Sequence, residues 1–237
     1  MQNRFDELSK NPNLSDKKIV DTVERILSKN DKEANRLREA WGETYVINLM
    51  SSPGSGKTTF LESLARVNPF RFGVIEGDLE TNRDAERLLK LGIKAHQITT
   101  GSACHLEASM VSKALAYMPL EGLEILFIEN VGNLVCPASY DLGAHLNVAL
   151  LSVPEGDDKV LKYPTMFRTV DVLFLTKCDL IDYFDFSIDR VKDDLYKLNP
   201  KAKFFMSSSK DSSSIEALAN YFLECKRSGF ISESVFV

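Results

Sequence analysis

The residues with chemistry in them begin at Ser51-Ser52-Pro53-Gly54-Ser55-Gly56-Lys57-Thr58-Thr59. An apolar run, Tyr45-Val46-Ile47-Asn48-Leu49-Met50, leads into this loop of small residues, and a helical pattern follows it. That setting suits a phosphate-binding loop: backbone N–H groups turn inward around an anion, and the next helix aims its positive dipole end at it. Gly54 and Gly56 permit close backbone approach, with Ser55 and Thr59 beside them. Lys57 is expected between the β- and γ-phosphates, and Thr58 on Mg²⁺. The strict pattern GxxxxGK(S/T) has glycine where this chain has Ser51. An ordinary Gly/Ser turn before a helix is the plainer alternative; the Lys57–Thr58 pair in its strand–loop–helix context argues against it.

Three further loops fit a nucleotide. LFIENVG delivers Glu129 at the end of an apolar strand, with Gly132 three residues on. NTPases of this type hold the Mg²⁺ shell and sense the γ-phosphate from such positions. Asp78, ending VIEGD, is the matching candidate for the other side of the metal shell or for orienting water. Asp84 is the second choice, because a first-turn carboxylate is favoured on a helix in any case. Lys57, Asp78, Asp84 and Glu129 are thus the expected catalytic set. LFLTKCDL resembles the guanine-specifying NKxD signature of GTPases. There Asp179 would accept from guanine N1–H and the exocyclic amine, and the Lys177 stem would pack over the base. Thr176 replaces the asparagine and keeps a hydroxyl for bracing the loops. SSSK (207–210), with Ser207 and Ser208, resembles the SAK element that backs the base with its main chain.

The remaining chemistry is unusual beside a nucleotide. TTGSACHLEASMV sets Cys104 next to His105 at the start of a predicted helix, and ENVGNLVCPASYDLG sets Cys136 in the loop after Glu129. Thiolate and imidazole together suit Zn²⁺ or Ni²⁺. Taken singly, a free cysteine is most often a small buried hydrophobe, and His105 reads as a turn cap. Both loops, however, extend from segments expected to contact Mg²⁺ and γ-phosphate, so an ion held there would feel the nucleotide state. Three ligands are too few for a closed structural site, and a two-fold dimer could supply ligands from both chains.

The elements that must position these residues alternate along the chain. Residues 15–41 read as one or two amphipathic helices through Ile19, Val20, Val23, Ile26, Leu27, Leu37 and Trp41, an N-terminal helical arm (1–41) ahead of a main domain (42–237). Strands are predicted at 45–50, 70–78, 94–100, 123–132, 147–156, 171–179 and 202–209. Helices are predicted at 81–92, 102–118, 162–170, 186–198 and 214–229, besides the one after the phosphate loop. Such alternation predicts an α/β fold of the P-loop NTPase kind, a mostly parallel sheet with helices on both faces and ligands at the strands' carboxyl ends. With 237 residues and 44% hydrophobic content, the chain can bury one sizeable core. A net charge of −5 gives no reason to expect nucleic acid as a partner. No apolar run reaches membrane-spanning length, no signal peptide is evident, and four scattered cysteines suit reduced thiols in a cytoplasm.

Together SSPGSGKTT, GDLETNRDAERL, TGSACHLEASMV, ENVGNLVCPASYDLG, SVPEGDDKVLKYP and the TKCDL loop resemble the hydrogenase nickel-incorporation GTPase family, HypB, over about residues 40 to 225. The resemblance implies a cytoplasmic GTPase that dimerises on GTP. It also implies delivery of Ni²⁺ to the hydrogenase large-subunit precursor with a small nickel- and zinc-binding accessory protein of the HypA kind. By position it assigns Cys104, His105 and Cys136 to Ni²⁺ or Zn²⁺, Lys57, Thr58, Asp78 and Glu129 to phosphate and Mg²⁺, and Lys177 and Asp179 to the base of GTP or GDP. The chain has no N-terminal cysteine motif or histidine-rich tract, which points away from bulk nickel storage. After Asp179, Leu180 and Phe184 read either as core, the usual fate of such residues, or, where exposed, as a self-complementary surface with Lys159 and Lys162 as nearby cations. A P-loop small-molecule kinase would need an arginine lid, which the sequence lacks. A pure metal-binding module would not need the phosphate loop. Within the GTPase class the alternative is the urease-maturation GTPase; the Cys104–His105 adjacency and the cysteine after ENVGNLV favour the hydrogenase type.

Overall fold

The computed structural model describes residues 17–78, 83–207 and 212–233. Helix α1 (Lys17–Ala40) comes first, followed by β1 (Tyr45–Ser51), α2 (Lys57–Val67), β2 (Phe72–Asp78), α3 (Arg83–Lys90) and β3 (Lys94–Thr99). Next come α4 (Ala108–Ala114), β4 (Ile125–Glu129), β5 (Leu146–Ser152), α5 (Lys159–Lys162), α6 (Pro164–Thr169) and β6 (Val172–Thr176). The chain continues through α7 (Ile188–Leu198), β7 (Lys203–Met206) and α8 (Ser212–Ser228). Among the described residues no helix is long and apolar enough to cross a membrane.

The strands form one parallel seven-stranded sheet in the order β3-β2-β4-β1-β5-β6-β7. A parallel sheet covered on both faces needs near-continuous apolar strands, and all seven residues of β1 are buried. The two-residue period then divides them. Ile47 and Leu49 join Phe60, Leu64 and Phe222 on the face covered by α2 and α8. Val46 joins Trp41, Leu37 and Val111 opposite, while Met50 joins Phe167 and Val191. Full burial of side chains this large stabilises by about 1.5–3 kcal/mol each.

The N-terminal helix is one continuous helix and lies against the sheet, with Ala34, Leu37 and Trp41 in the core. Trp41 Nε1 donates to Gly143 O at 2.8 Å. Gly143 has φ +72°, and a Cβ there would stand 2.5 Å from Ala34 O, so only glycine lets α1 come this close.

Among the predicted boundaries that change, three have a visible local cause. The helix expected over 102–118 starts at Ala108, because Glu107 is extended (φ −105°, ψ 153°) and the Cys104–His105 segment is a turn. The strand expected to run to 156 stops at Ser152, where Ser152 and Glu155 form a reciprocal cap around Pro154. The strand expected to run to 179 stops at Thr176, because Lys177 is left-handed (φ 57°) and a 3₁₀ turn follows at Cys178–Tyr183.

Candidate functional site

β1 ends at Ser51, the loop turns through left-handed Gly54 (φ +75°) and Gly56 (φ +98°), and α2 begins at Lys57. Lys57 is buried, and its Nζ donates to Ser51 Oγ at 2.7 Å. The serine that departs from the strict motif is thus the partner of the motif's lysine. Burial holds the Lys57 ammonium below its ordinary pKa, opposed first by the charge of Glu129. Thr176 Oγ1 donates to Ser55 O at 2.7 Å and Lys177 Nζ to Gly54 O at 2.8 Å, so the base loop braces the phosphate loop. This is the bracing hydroxyl expected of Thr176.

A cavity of about 420 Å³ on one side of that loop is lined by Gly54, Lys57, Thr58, Asp78, Glu129 and Gly132, together with Asp84 and Arg87. Thr58 Oγ1 donates to Glu129 Oε1 at 3.0 Å. Neighbouring ligands of an octahedral Mg²⁺, each at about 2.0–2.1 Å, stand about 3 Å apart, so this pair fits one ion. Glu129 Oε2 is buried without a hydrogen-bond partner, which leaves an acceptor for such an ion. Burial pushes the Glu129 carboxyl up to about 7, with Lys57 and Thr58 opposing. Asp84 lies on the first turn of α3 and pairs with Arg87 at 2.7 Å; Arg87 also grips Glu62 at 2.7 and 2.9 Å. Gly132 approaches so closely that an added Cβ would lie 2.9 Å from Pro53 Cα and N.

On the other side a cavity of about 740 Å³ is lined by Ser55, Gly56, Thr59, Thr176, Lys177, Asp179, Leu180 and Ser207. Gly56, Thr59 and Lys177 border both cavities, so one ligand can extend from phosphate to base. Cys178 N donates to Ser207 O at 3.0 Å, joining the two base loops; Ser208 lies outside the described residues. Leu180 is half-buried against the core, while Tyr183 and Phe184 are exposed.

The third cluster is the one the sequence placed in two distant segments. The ligand atoms of Cys104, His105 and Cys136 all lie within 4.8 Å of one another. The two sulfurs are 2.9 Å apart, both cysteines are free, and Cys104 Sγ is 3.6 Å from His105 Nδ1. The His105 ring stacks on Tyr140 at 3.8 Å, and its buried Nε2 has no hydrogen-bond partner. Asn133 Nδ2 points at Cys136 Sγ from 3.7 Å. Two soft sulfurs and one imidazole with an open fourth direction suit Ni²⁺ or Zn²⁺ held for exchange rather than for structure.

Sequence reasoning missed one carboxylate. Glu76 is buried, lines the phosphate-side cavity and sits in register with Glu129, and its Oε2 has no hydrogen-bond partner. The signal was available: Glu76 and Asp78 are two apart on one strand, so both side chains take the same face. The buried Asn48, Asn130 and Asn147 were missed as well, because asparagine alone carries no motif.

Residues 45–206 match the family described as CobW/HypB/UreG, nucleotide-binding domain. The hydrogenase/urease maturation factor HypB of Helicobacter pylori is 55% identical, over 99% of this chain and 99% of the relative. The crystal structure of HypB from Helicobacter pylori in complex with nickel superposes with a TM-score of 0.86, covering 88% of this chain and all of that one, at 55% identity. The crystal structure of the hydrogenase maturation factor HypB from Archaeoglobus fulgidus gives 0.78 at 35% identity, covering 84% of this chain and all of that one.

Proposed function

The chain belongs to the CobW/HypB/UreG nucleotide-binding family, and from that premise we propose that it is a GTP-hydrolysing metallochaperone that carries nickel for hydrogenase maturation. One observation carries the reading: Cys136 is four residues beyond Gly132, so the segment that borders the phosphate-side cavity also supplies a ligand to the cysteine–histidine cluster. Nickel is the cargo, and zinc competes for the same donors. GTP lies across both cavities, with Asp179 reading the base and Lys57 contacting the β- and γ-phosphates. Thr58, Asp78 and Glu129 would hold Mg²⁺, which when bound would neutralise charge developing on the phosphoryl oxygens.

Arg87 lines the cavity, but its guanidinium is held by Glu62 and Asp84, and no glutamine lines that cavity among the described residues. Groups that act on the attacking water or the leaving charge can be worth about 10³–10⁵ in rate, so intrinsic hydrolysis is slow. Presence of the γ-phosphate moves the Glu129–Gly132 segment, as switch segments move in GTPases, and Cys136 shifts relative to Cys104 and His105. Linkage makes this reciprocal: a metal that prefers one nucleotide state changes nucleotide affinity by the same factor.

The partners on this reading are a second copy, a small nickel- and zinc-binding accessory protein, and the hydrogenase large-subunit precursor, all in the cytoplasm. Exposed Tyr183 and Phe184 beside the base loop form the apolar patch for the second copy. Service to urease is a second reading, favoured by the Helicobacter pylori relative, which is described as a hydrogenase/urease maturation factor. The test is titration of Ni²⁺ into the GDP and GTP-analogue complexes of the wild-type and Cys136→Ala proteins. Cys136→Ala is expected to bind nickel more weakly while GTP affinity is kept. Equal nickel dissociation constants in the two wild-type complexes would remove the coupling.

A further inference from the structure

The turn that carries Cys104 and His105 is pinned at two backbone N–H groups, each by a buried asparagine from another element. Asn130 Oδ1 accepts from Leu106 N at 3.1 Å and from Val131 N at 3.0 Å. Asn30 Oδ1 accepts from Ala108 N at 2.9 Å, capping α4 where Glu107 makes no side-chain capping bond. Both asparagines are at most 6% exposed. Such a bond to an otherwise orphaned helix N–H fixes where the helix, and therefore the turn before it, begins.

The two pins lead to different places. Asn130 lies between Glu129 and Gly132, and its own N–H donates to Leu49 O of β1 at 2.9 Å. Its Nδ2 reaches Asn48 Oδ1 at 3.4 Å, and Asn48 Nδ2 donates to Asn147 Oδ1 at 3.1 Å. This pin is thus rooted beside the phosphate-side cavity. Asn30 belongs to α1, and its Nδ2 donates to Asp141 O at 2.7 Å. The Asp141 carboxylate is gripped by Arg38 of the same helix at 2.7 and 2.9 Å. Asp141 follows Cys136 by five residues, so α1 holds the backbone after both ligand segments, and neither bond involves the cavities.

We propose that Asn30 is a positioning residue that sets the resting geometry of the metal cluster, and that Asn130 is the positioning residue through which nucleotide state reaches Cys104 and His105. This rests on the reading of the cluster as a nickel site coupled to nucleotide. A displacement of the Glu129–Gly132 segment carries Asn130 Oδ1 with it, and Leu106 N must follow or lose a buried bond. Ala108 stays with α1. The turn between them therefore flexes about a fixed post, and Cys104 and His105 sit on the moving side of it.

Dissociation constants for Ni²⁺ are measured on the full chain with GDP and with a non-hydrolysable GTP analogue, by competition with a chromogenic chelator. The thiolate-to-nickel absorption band reports geometry. Alanine is the best helix former, so Asn30→Ala leaves α1 intact. It is expected to weaken nickel binding about 10-fold or more in both nucleotide states, as loss of groups that orient ligands does, while the ratio between states is kept. Asn30→Asp retains the acceptor for Ala108 N–H and is expected to recover part of the affinity. Asn130→Ser, measured at saturating nucleotide because Asn130 lines the phosphate-side cavity, is expected to bring the ratio toward one.

A wild-type nickel affinity in Asn30→Ala, or a wild-type ratio in Asn130→Ser, overturns the proposal. Amide hydrogen exchange in the wild-type protein supplies a check that needs no variant. Protection of the Leu106 N–H is expected to differ between nucleotide states while that of Ala108 does not, and equal behaviour of the two overturns the assignment. Unchanged nickel binding by Cys136→Ala, or a wild-type ratio of one, removes the underlying reading and the proposal with it.

Discussion

Substituting Gly132 by alanine tests whether the approach of the 129–136 segment to the phosphate loop matters for hydrolysis. Gly132 does not use a left-handed φ, so alanine strains no backbone angle and the effect is one of space alone. The new Cβ would lie 2.9 Å from Pro53 Cα and N and 3.0 Å from Pro53 Cγ. Ordinary contact begins near 3.4 Å, so the two segments must part by about half an ångström. Pro53 cannot yield by changing rotamer, because its ring and backbone supply all three contacts. Overpacking of this kind costs about 1–3 kcal/mol. If the cost falls on the closed arrangement needed for phosphoryl transfer, single-turnover GTP hydrolysis should slow about 5- to 150-fold. GDP, which lacks the γ-phosphate, should bind nearly as before. The assay pairs single-turnover hydrolysis with a fluorescent-GDP titration. Wild-type hydrolysis in a variant of unchanged melting temperature would refute the reasoning, because the segment would then be shown not to close on Pro53.

Three other outcomes follow from the same geometry. Asp179→Asn should lose discrimination between GTP and other purine nucleotides in competition binding, and an unchanged preference would remove Asp179 from base recognition. Burial first, then the charges of Glu129, Asp84 and Asp78, pushes the Glu76 carboxyl up to about 8. The protonated form is favoured in the folded protein, so this stabilisation is present near the unfolded value and is lost as pH rises through about 8. Glu76→Gln should accordingly flatten the fall in nucleotide-free melting temperature between about pH 5 and pH 8; a parallel wild-type profile would contradict this. Replacing exposed Tyr183 and Phe184 together by alanine should leave stability within about 0.5 kcal/mol per residue, as surface changes do, while the GTP-analogue complex sediments as a monomer.

Legibility followed how locally each feature is encoded. The phosphate loop, Lys177–Asp179 and Glu129–Gly132 could be read because each is a short contiguous segment at the end of an apolar strand. Cys104, His105 and Cys136 could be read as donors, and their meeting follows from β3 and β4 flanking β2 in a parallel sheet, with the loops after both at the same edge. The start of α4 could not be read. The hydrophobic pattern runs back through Leu106, but Asn30, 78 residues away in the chain, supplies the cap that sets the boundary at Ala108. The place of α1 was hidden for a related reason: its stripe of Leu37 and Trp41 says that it packs, and Gly143 alone shows how closely. Glu76 was lost inside an apolar strand, where its charge reads as an interruption. Core or surface was left open for Leu180 and Phe184, because the sequence does not show how the chain turns after Asp179; the 3₁₀ turn after left-handed Lys177 packs Leu180 against the core and leaves Tyr183 and Phe184 outside.

The position of β1 at the middle of the sheet has a consequence for how the protein comes into being. β1 carries the phosphate loop, yet its two neighbours are β4 and β5, and the second of these ends at Ser152, about 100 residues after Ser51. At a synthesis rate of about 5–20 residues per second, β1 emerges from the ribosome about 5–20 s before its last neighbour exists. During that interval Val46, Ile47, Leu49 and Met50, all fully buried at the end, have no sheet to enter. The nascent chain therefore offers an apolar strand to chaperones or to other nascent chains before it can grip any phosphate. Nucleotide cannot template the early steps and can select only a chain whose first 152 residues are already complete.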